Sequence, residues 1–141
     1  MAGARCPPPE RPLSVLVVDD EPDVLTYLAA VLEQRGHRAH VALNAAEGFA
    51  LIKQERPDVA CIDIVMPEET GIALYRRIRS DPEVADTPVI FITALRPEMT
   101  AVAPAAGEET MPEPDGYIEK PPDAKTFLET VVEVARKMGR R

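Results

Sequence analysis

The chain predicts an α/β fold, a doubly wound parallel sheet with helices on both faces. Two observations carry that expectation. Short apolar runs alternate with segments of helical periodicity, as in consecutive βαβ units. Three of the runs also end in an acid or a hydroxyl: Val15 to Val18 in Asp19-Asp20, Val59 to Ile62 in Asp63, and Val89 to Ile92 in Thr93. In a parallel sheet those ends share one edge, and open α/β sheets bind ligands at that carboxyl edge.

Each element has a local reason. Residues 1–12 hold four prolines and no periodicity, so a disordered N-terminal tail is expected there. Strand one covers about 14–18. Pro22 suits a first helical position. Val24, Leu25, Leu28, Val31 and Leu32 then give helix one an apolar stripe, and Gly36 ends it. A short strand follows over 38–42. Asn44 with Glu47 three residues on forms an asparagine variant of the capping box, opening helix two to about 54. Pro57 precedes strand three, 58–62. A loop containing Pro67 leads to Thr70-Gly71, where Thr70 can cap helix three (71–79), with Ile72, Tyr75 and Ile78 on one face. Asp81-Pro82 makes a turn, and Pro88 precedes strand four, 89–92. Asp115 to Glu119 holds a short fifth strand. Asp123 can cap a last helix, to about 138, with Phe127, Leu128, Val131, Val132 and Ala135 inward. The helix expected between Thr93 and Lys120 is disturbed, because Pro97, Pro104, Pro112 and Pro114 fall in it. Proline inside a helix costs on the order of 3 kcal/mol, so helix four is short or atypical, with one or two turns over 97–103 at best.

Composition narrows the function classes. A length of 141 residues suits one domain, and 45% hydrophobic with 28% charged residues is an ordinary globular balance. The net charge of −8 argues against a nucleic-acid-binding surface. The basic ends, near Arg5 and Arg11 and from Arg136 to Arg141, are too small to reverse it. No apolar stretch approaches the roughly 20 residues of a membrane span. A proline-rich start without an apolar signal core points to a cytoplasmic location. Cys6 and Cys61 form neither a disulfide framework nor a metal knuckle, and Cys61 reads as a core thiol.

The strand ends carry the chemistry. Asp19, Asp20, Asp63, Thr93 and Lys120 would gather in one cleft. Three close carboxylates repel one another unless a cation compensates. A hard divalent ion such as Mg2+ suits oxygen-only ligands.

These pieces resemble the receiver domain of two-component response regulators, chemotaxis-regulator-like in form. The resemblance rests on Val17-Val18-Asp19-Asp20-Glu21, Asp63-Ile64-Val65-Met66-Pro67, Thr93-Ala94 and Tyr117-Ile118-Glu119-Lys120-Pro121, in the family's order over about 13–138. It implies a flavodoxin-like (βα)5 fold with strand order 2-1-3-4-5, and a receiver domain over 13–138 with 139–141 a tail or linker start. It further implies that Asp63 accepts a phosphoryl group from a histidine kinase or histidine phosphotransfer protein, and that the chain switches protein contacts as a signalling phosphoacceptor, not an enzyme. Asp19, Asp20, Asp63 and the carbonyl of Val65 would bind Mg2+. Lys120, Thr93 and the Ala94 N–H would hold the phosphoryl group. Tyr117 would be the aromatic that turns inward with Thr93. Glu21 reads as a helix-start acid, because acids favour that end.

Departures from the family pattern shape further expectations. Glu68-Glu69-Thr70-Gly71 replaces the usual acidic-glycine loop end. Val65 and Leu95 are apolar at positions that tune phosphoryl lifetime, so a long-lived phospho-form is expected. The unusual 95–116 segment sets aside family-typical dimerisation, leaving a monomer or weak dimer. Kinase docking in the family points here to Pro22, Asp23, Leu25 and Pro121-Pro122. The output protein is unknown.

Three other readings compete. A Mg2+-dependent small-molecule phosphatase of the haloacid-dehalogenase type needs a second Asp two places after the nucleophile, where Val65 stands. A nucleotide-binding module needs GxGxxG or GxxxxGK[ST] after a strand, and the chain has neither. A degenerate, phosphorylation-independent receiver scaffold would keep the fold and lose the chemistry, and the complete site argues against it.

Overall fold

A computed structural model of the chain describes residues 12–66, 69–94 and 114–137. Five parallel strands form one sheet: β1 (Ser14–Val18), β2 (Arg38–Ala42), β3 (Val59–Asp63), β4 (Val89–Thr93) and β5 (Gly116–Glu119). Their order is β2-β1-β3-β4-β5, the flavodoxin-like arrangement expected from the resemblance. The described helices are α1 (Pro22–Gln34), α2 (Ala45–Glu55), α3 (Gly71–Ser80) and, after β5, α4 (Ala124–Lys137). The short helix expected over 97–103, and Leu95 and Pro67, lie outside the described residues.

The strands β1, β3 and β4 are apolar but for one polar end residue each, because both faces of the sheet are covered there, while the edge strands β2 and β5 carry Arg38, His40 and Glu119. Alternation then divides the side chains between two cores. Val15, Val17, Val59, Cys61, Ile90, Ile92 and Ile118 face α1 and α4. Leu16, Val18, Ala60, Ile62, Val89 and Phe91 face the other way, toward α2 and α3. Cys61 is fully buried, which pushes its thiol pKa well above the ordinary value and leaves it the expected inert core thiol. Every residue of β3 is buried, Asp63 included. Asp63 is the last residue of the strand, one place beyond the expected end, because it keeps ladder register with Ile92.

Local signals set the helix ends. Gly36 adopts φ +86° after α1, and the His37 N–H reaches back to the Leu32 carbonyl at 3.0 Å. Asn44 Oδ1 accepts from the Glu47 N–H at 2.9 Å. The return contact differs from the standard box, since Glu47 Oε1 accepts from the Leu43 N–H at 3.0 Å. Thr70 Oγ1 accepts from the Ala73 N–H, and Asp123 Oδ2 from the Thr126 N–H, so both expected caps form.

Three expectations about helix side chains are corrected. Leu74 joins Tyr75 and Ile78 in the core under α3, while Ile72 is only partly buried. Val134 is buried in α4, and Val132 packs at the margin. Leu25, expected among the kinase-docking residues, is 4% exposed. It lies on the inner stripe of α1 and cannot reach a partner without leaving the core. Burying a leucine stabilises by about 1.5–3 kcal/mol, so packing claims it.

Candidate functional site

The sheet topology places three strand ends side by side, and Lys120 follows β5 directly. β1 runs into Asp19 and Asp20, β3 ends at Asp63, β4 at Thr93. The Lys120 N–H donates to the Thr93 carbonyl at 3.0 Å, which fixes where the lysine side chain departs. Lys120 and Pro121 are joined by a cis peptide bond.

The lysine is the hub of the cleft. Its Nζ lies 3.2 Å from Asp63 Oδ2, 3.1 Å from Asp19 Oδ2 and 3.2 Å from Glu21 Oε1. Asp63 Oδ1 accepts from the Val65 N–H at 3.2 Å. Asp19 Oδ1 accepts from the Glu21 N–H at 2.9 Å. Burial raises the Asp63 pKa to about 6, and the nearby Asp19 charge adds to the rise. Lys120 and the Val65 N–H oppose it without cancelling it. For Lys120 burial works toward a lower value, but the adjoining Asp19 and Asp63 carboxylates outweigh it and the pKa is raised. At neutral pH the lysine is therefore fully charged and Asp63 is mostly ionised.

The carboxylates fit a divalent cation. Asp19, Asp20 and Asp63 each present one oxygen, and these lie within 4.8 Å of one another. Asp19 is 1% exposed, and among the described residues its Oδ2 forms no hydrogen bond, although the Lys120 ammonium lies 3.1 Å away. A buried carboxylate oxygen in that state is under-compensated. The all-oxygen donor set matches a hard ion such as Mg2+.

Of the other expected site residues, Thr93 is buried and Ala94 exposed at the end of β4. Tyr117 is half-buried, pairs in register with Phe91, and packs its ring 6.0 Å from the Phe91 ring. Phe91 and Thr93 share a face of β4, two residues apart. Val65 is 60% exposed beside Asp63.

Two participants were not read from the sequence. Glu21 stands at the N-cap of α1, yet its side chain makes no capping bond and reaches Lys120 instead. Nothing local marks a pairing that spans 99 residues. Gly71 is the second. A Cβ there would press into the Asp63 carbonyl oxygen and stand 2.9 Å from both Ile62 Cγ2 and Ile64 Cα. The Gly71 N–H donates to the Ile64 carbonyl at 2.9 Å, so α3 begins against the backbone that carries Asp63. The glycine following the Thr70 cap was the available signal.

Fold and site together define a class: a doubly wound α/β domain with an acidic, lysine-centred cleft at the carboxyl edge of its sheet. The family model described as response regulator receiver domain matches residues 15–132. The chain belongs to that family, whose members are signalling phosphoacceptors of two-component systems with an acidic, Mg2+-binding pocket. It is similar to Protein PilH of Pseudomonas aeruginosa, 37% identical over 118 residues, spanning 83% of this chain and 93% of PilH. It is also similar to the polar-differentiation response regulator DivK of Brucella anthropi, 29% identical, spanning 85% of this chain and 94% of DivK. Among solved structures, the chemotaxis protein CheY4 of Vibrio cholerae superposes with a TM-score of 0.74 at 26% identity, covering 88% of this chain and 99% of CheY4. Among the described residues no helix is long and apolar enough to cross a membrane.

Proposed function

We propose that Asp63 accepts a phosphoryl group from a histidine kinase or histidine phosphotransfer protein, and that the phosphorylated chain changes its contacts with an output protein. One observation carries the reading. A carboxylate 3% exposed ends a central strand, with a lysine ammonium 3.2 Å away and two further aspartates beside it.

The transfer exchanges one bond to phosphorus for another. An Asp63 carboxylate oxygen attacks phosphorus while the bond to the donor's imidazole nitrogen breaks. That nitrogen keeps the electron pair and takes up a proton. The transition state is loose, so positioning and charge stabilisation do most of the work. Asp19, Asp20, Asp63 and the Val65 carbonyl would hold Mg2+, which when bound neutralises phosphoryl oxygens. Lys120 passes from Asp63 Oδ2 to a phosphoryl oxygen. The Thr93 hydroxyl and the Ala94 N–H donate to the others. Tyr117, on the Thr93 face of the β4–β5 pair, then follows Thr93 inward, which makes the two a switch biased by a local change of charge.

Val65, exposed at the mouth, offers no hydrogen bond to an attacking water, which supports a long-lived phospho-form. Pro22, Asp23 and Pro121 are exposed near the cleft and suit the docking of a phosphodonor. The net charge of −8 favours protein partners over nucleic acid, and a monomer or weak dimer in the cytoplasm fits this role.

The test is intact-mass spectrometry after incubation with acetyl phosphate and Mg2+. A gain of one phosphoryl mass, lost in Asp63→Asn and without Mg2+, is expected. If acetyl phosphate, a panel of histidine kinases and beryllofluoride all leave the chain unmodified, the phosphorylation-independent scaffold takes its place.

A further inference from the structure

We infer that Glu21 is a positioning residue for phosphoryl transfer: its carboxylate holds the Lys120 ammonium at rest and competes for it with the incoming phosphoryl group. The inference rests on the reading of Asp63 as the acceptor.

Three observations lead to it. The first is that Glu21 forgoes its local role. It occupies the N-cap of α1, where a side-chain oxygen commonly caps the first turn, but it makes no such bond. Its Oε1 reaches Lys120 Nζ at 3.2 Å. The second is that its backbone is held in place for that reach. The Glu21 N–H donates to Asp19 Oδ1 at 2.9 Å, and its carbonyl accepts from Val24 at 3.1 Å and Leu25 at 3.2 Å. One turn of backbone thus sets both Asp19 and Glu21 toward the same ammonium. The third is crowding. Asp63 Oδ2 and Glu21 Oε1 each accept from Lys120 Nζ at 3.2 Å, and Asp19 Oδ2 lies 3.1 Å from it.

A phosphoryl oxygen that takes Lys120 from Asp63 therefore meets an ammonium that Glu21 still holds. Asp63 gives up its lysine contact as its own oxygen bonds to phosphorus, while Asp19, 1% exposed, is too buried to turn out to water. The Glu21 side chain is 61% exposed and returns to water at little cost. Of the two partners that remain, Glu21 is the one that can let go. Until it does, its charge competes with the phosphoryl group for the lysine, so Glu21 slows uptake and weakens the hold on a phosphoryl-like anion.

A different role, a general negative charge favouring the N-terminus of α1, is separable by substitution. Glu21→Gln keeps the length and removes the charge. Glu21→Asp keeps the charge but is one methylene shorter, and aspartate at an N-cap prefers the helix N–H groups. Both release Lys120, but only Glu21→Gln removes the charge.

The experiment compares wild type, Glu21→Gln, Glu21→Asp and Asp63→Asn in Mg2+. It measures the initial rate of phosphoryl gain from subsaturating acetyl phosphate by intact mass, and the beryllofluoride dissociation constant by 19F NMR. Both Glu21 variants are expected to take up phosphoryl about two- to five-fold faster, the span of one partly exposed ion pair. Both should bind beryllofluoride more tightly by a similar factor, and the melting temperature of Glu21→Asp should not fall. Wild-type behaviour in both variants overturns the inference and leaves the Asp63 reading intact. So does a wild-type Glu21→Asp beside a faster Glu21→Gln, which would assign the effect to charge alone. A wild type that neither gains a phosphoryl group nor binds beryllofluoride overturns the Asp63 reading and this inference with it.

Discussion

Lys120 Nζ stands 3.2 Å from Asp63 Oδ2 and ties the end of β5 to the end of β3, 57 residues apart in the chain. The lysine compensates buried negative charge only in part, since the Asp63 pKa still rises from 3.8 to about 6.

That residue of uncompensated charge sets the direction of a stability test. The folded state holds the Asp63 proton more tightly than the unfolded chain does. Asp63 therefore costs nothing below about pH 4, and its cost grows as pH rises to about 6 and persists above. At neutral pH Asp63→Asn should stabilise the domain on the order of 1–2 kcal/mol, less than the full shift at about 1.4 kcal/mol per unit because a lysine contact is weakened. Lys120→Met should do the reverse, by about 3 kcal/mol, by stranding two buried carboxylates. Thermal melts at pH 7.5 without Mg2+ check both, and a lower melting temperature for Asp63→Asn sinks the argument.

Mg2+ should supply what Lys120 leaves undone. Binding to the folded state alone stabilises it by mass action. Millimolar Mg2+ is expected to raise the melting temperature by a few degrees, chelation to reverse the rise, and Asp20→Asn to abolish it. An equal rise in Asp20→Asn would place the ion elsewhere.

Gly71 tests the coupling of α3 to the acceptor strand. An added methyl meets the Asp63 carbonyl, which belongs to backbone and cannot swing aside. Gly71→Ala should cost about 1–3 kcal/mol, the usual range for overpacking, and should slow phosphoryl uptake because β3 must shift. Gly48→Ala makes a useful contrast. Its methyl meets Val18 Cγ2 at 2.8 Å, a side chain and not the backbone that carries the acceptor, so stability should fall while uptake stays near wild type.

His37 carries a separate pH dependence. Its Nδ1 accepts from the Leu13 N–H at 3.0 Å, and burial first, then the Arg35 charge, lowers its pKa below 6.5. The unfolded chain therefore binds this proton more readily. The stabilisation is present above pH 6.5 and is lost as pH falls through the lower folded value. Urea unfolding at pH 7.5 and 5.5 should show wild type losing more stability than His37→Asn. Comparing the two chains removes the opposite contribution of Asp63, and equal losses would count against the histidine.

The distal end of the sheet should matter for stability and not for the site chemistry. Asp115 Oδ2 accepts from the Val89 N–H at 2.8 Å and from Arg79 at 3.2 Å, while Arg79 also donates to the Thr87 carbonyl at 2.6 Å. Asp115→Ala leaves the buried Val89 N–H without that partner, a loss of about 1–3 kcal/mol. Phosphoryl uptake at low temperature should remain close to wild type; a loss of uptake in a folded variant would extend the site to this end.

Much of this was legible in the sequence, for reasons visible residue by residue. Apolar runs such as Val89 to Ile92 mark strands covered on both faces. Asn44, Thr70 and Asp123 announced helix starts because their bonds close within three residues. Asp19, Asp20, Asp63, Thr93 and Lys120 could be assembled because parallel strands bring their carboxyl ends to one edge. The inward faces of short helices were harder. Val132 and Val134 differ by two places, and periodicity over a few turns does not decide between them. Leu25 drew two readings, core and docking surface, and only packing chose.

By itself, then, the sequence determined the element order, the caps and which side chains meet at the sheet edge, since these follow from short-range bonding and strand periodicity. The tertiary structure alone decided how charge is shared there. Glu21 pairs with Lys120 across 99 residues, and Gly71 is pressed against the Asp63 backbone. Such distances depend on how α1, α3 and the end of β5 pack against a common sheet, and no local pattern encodes them.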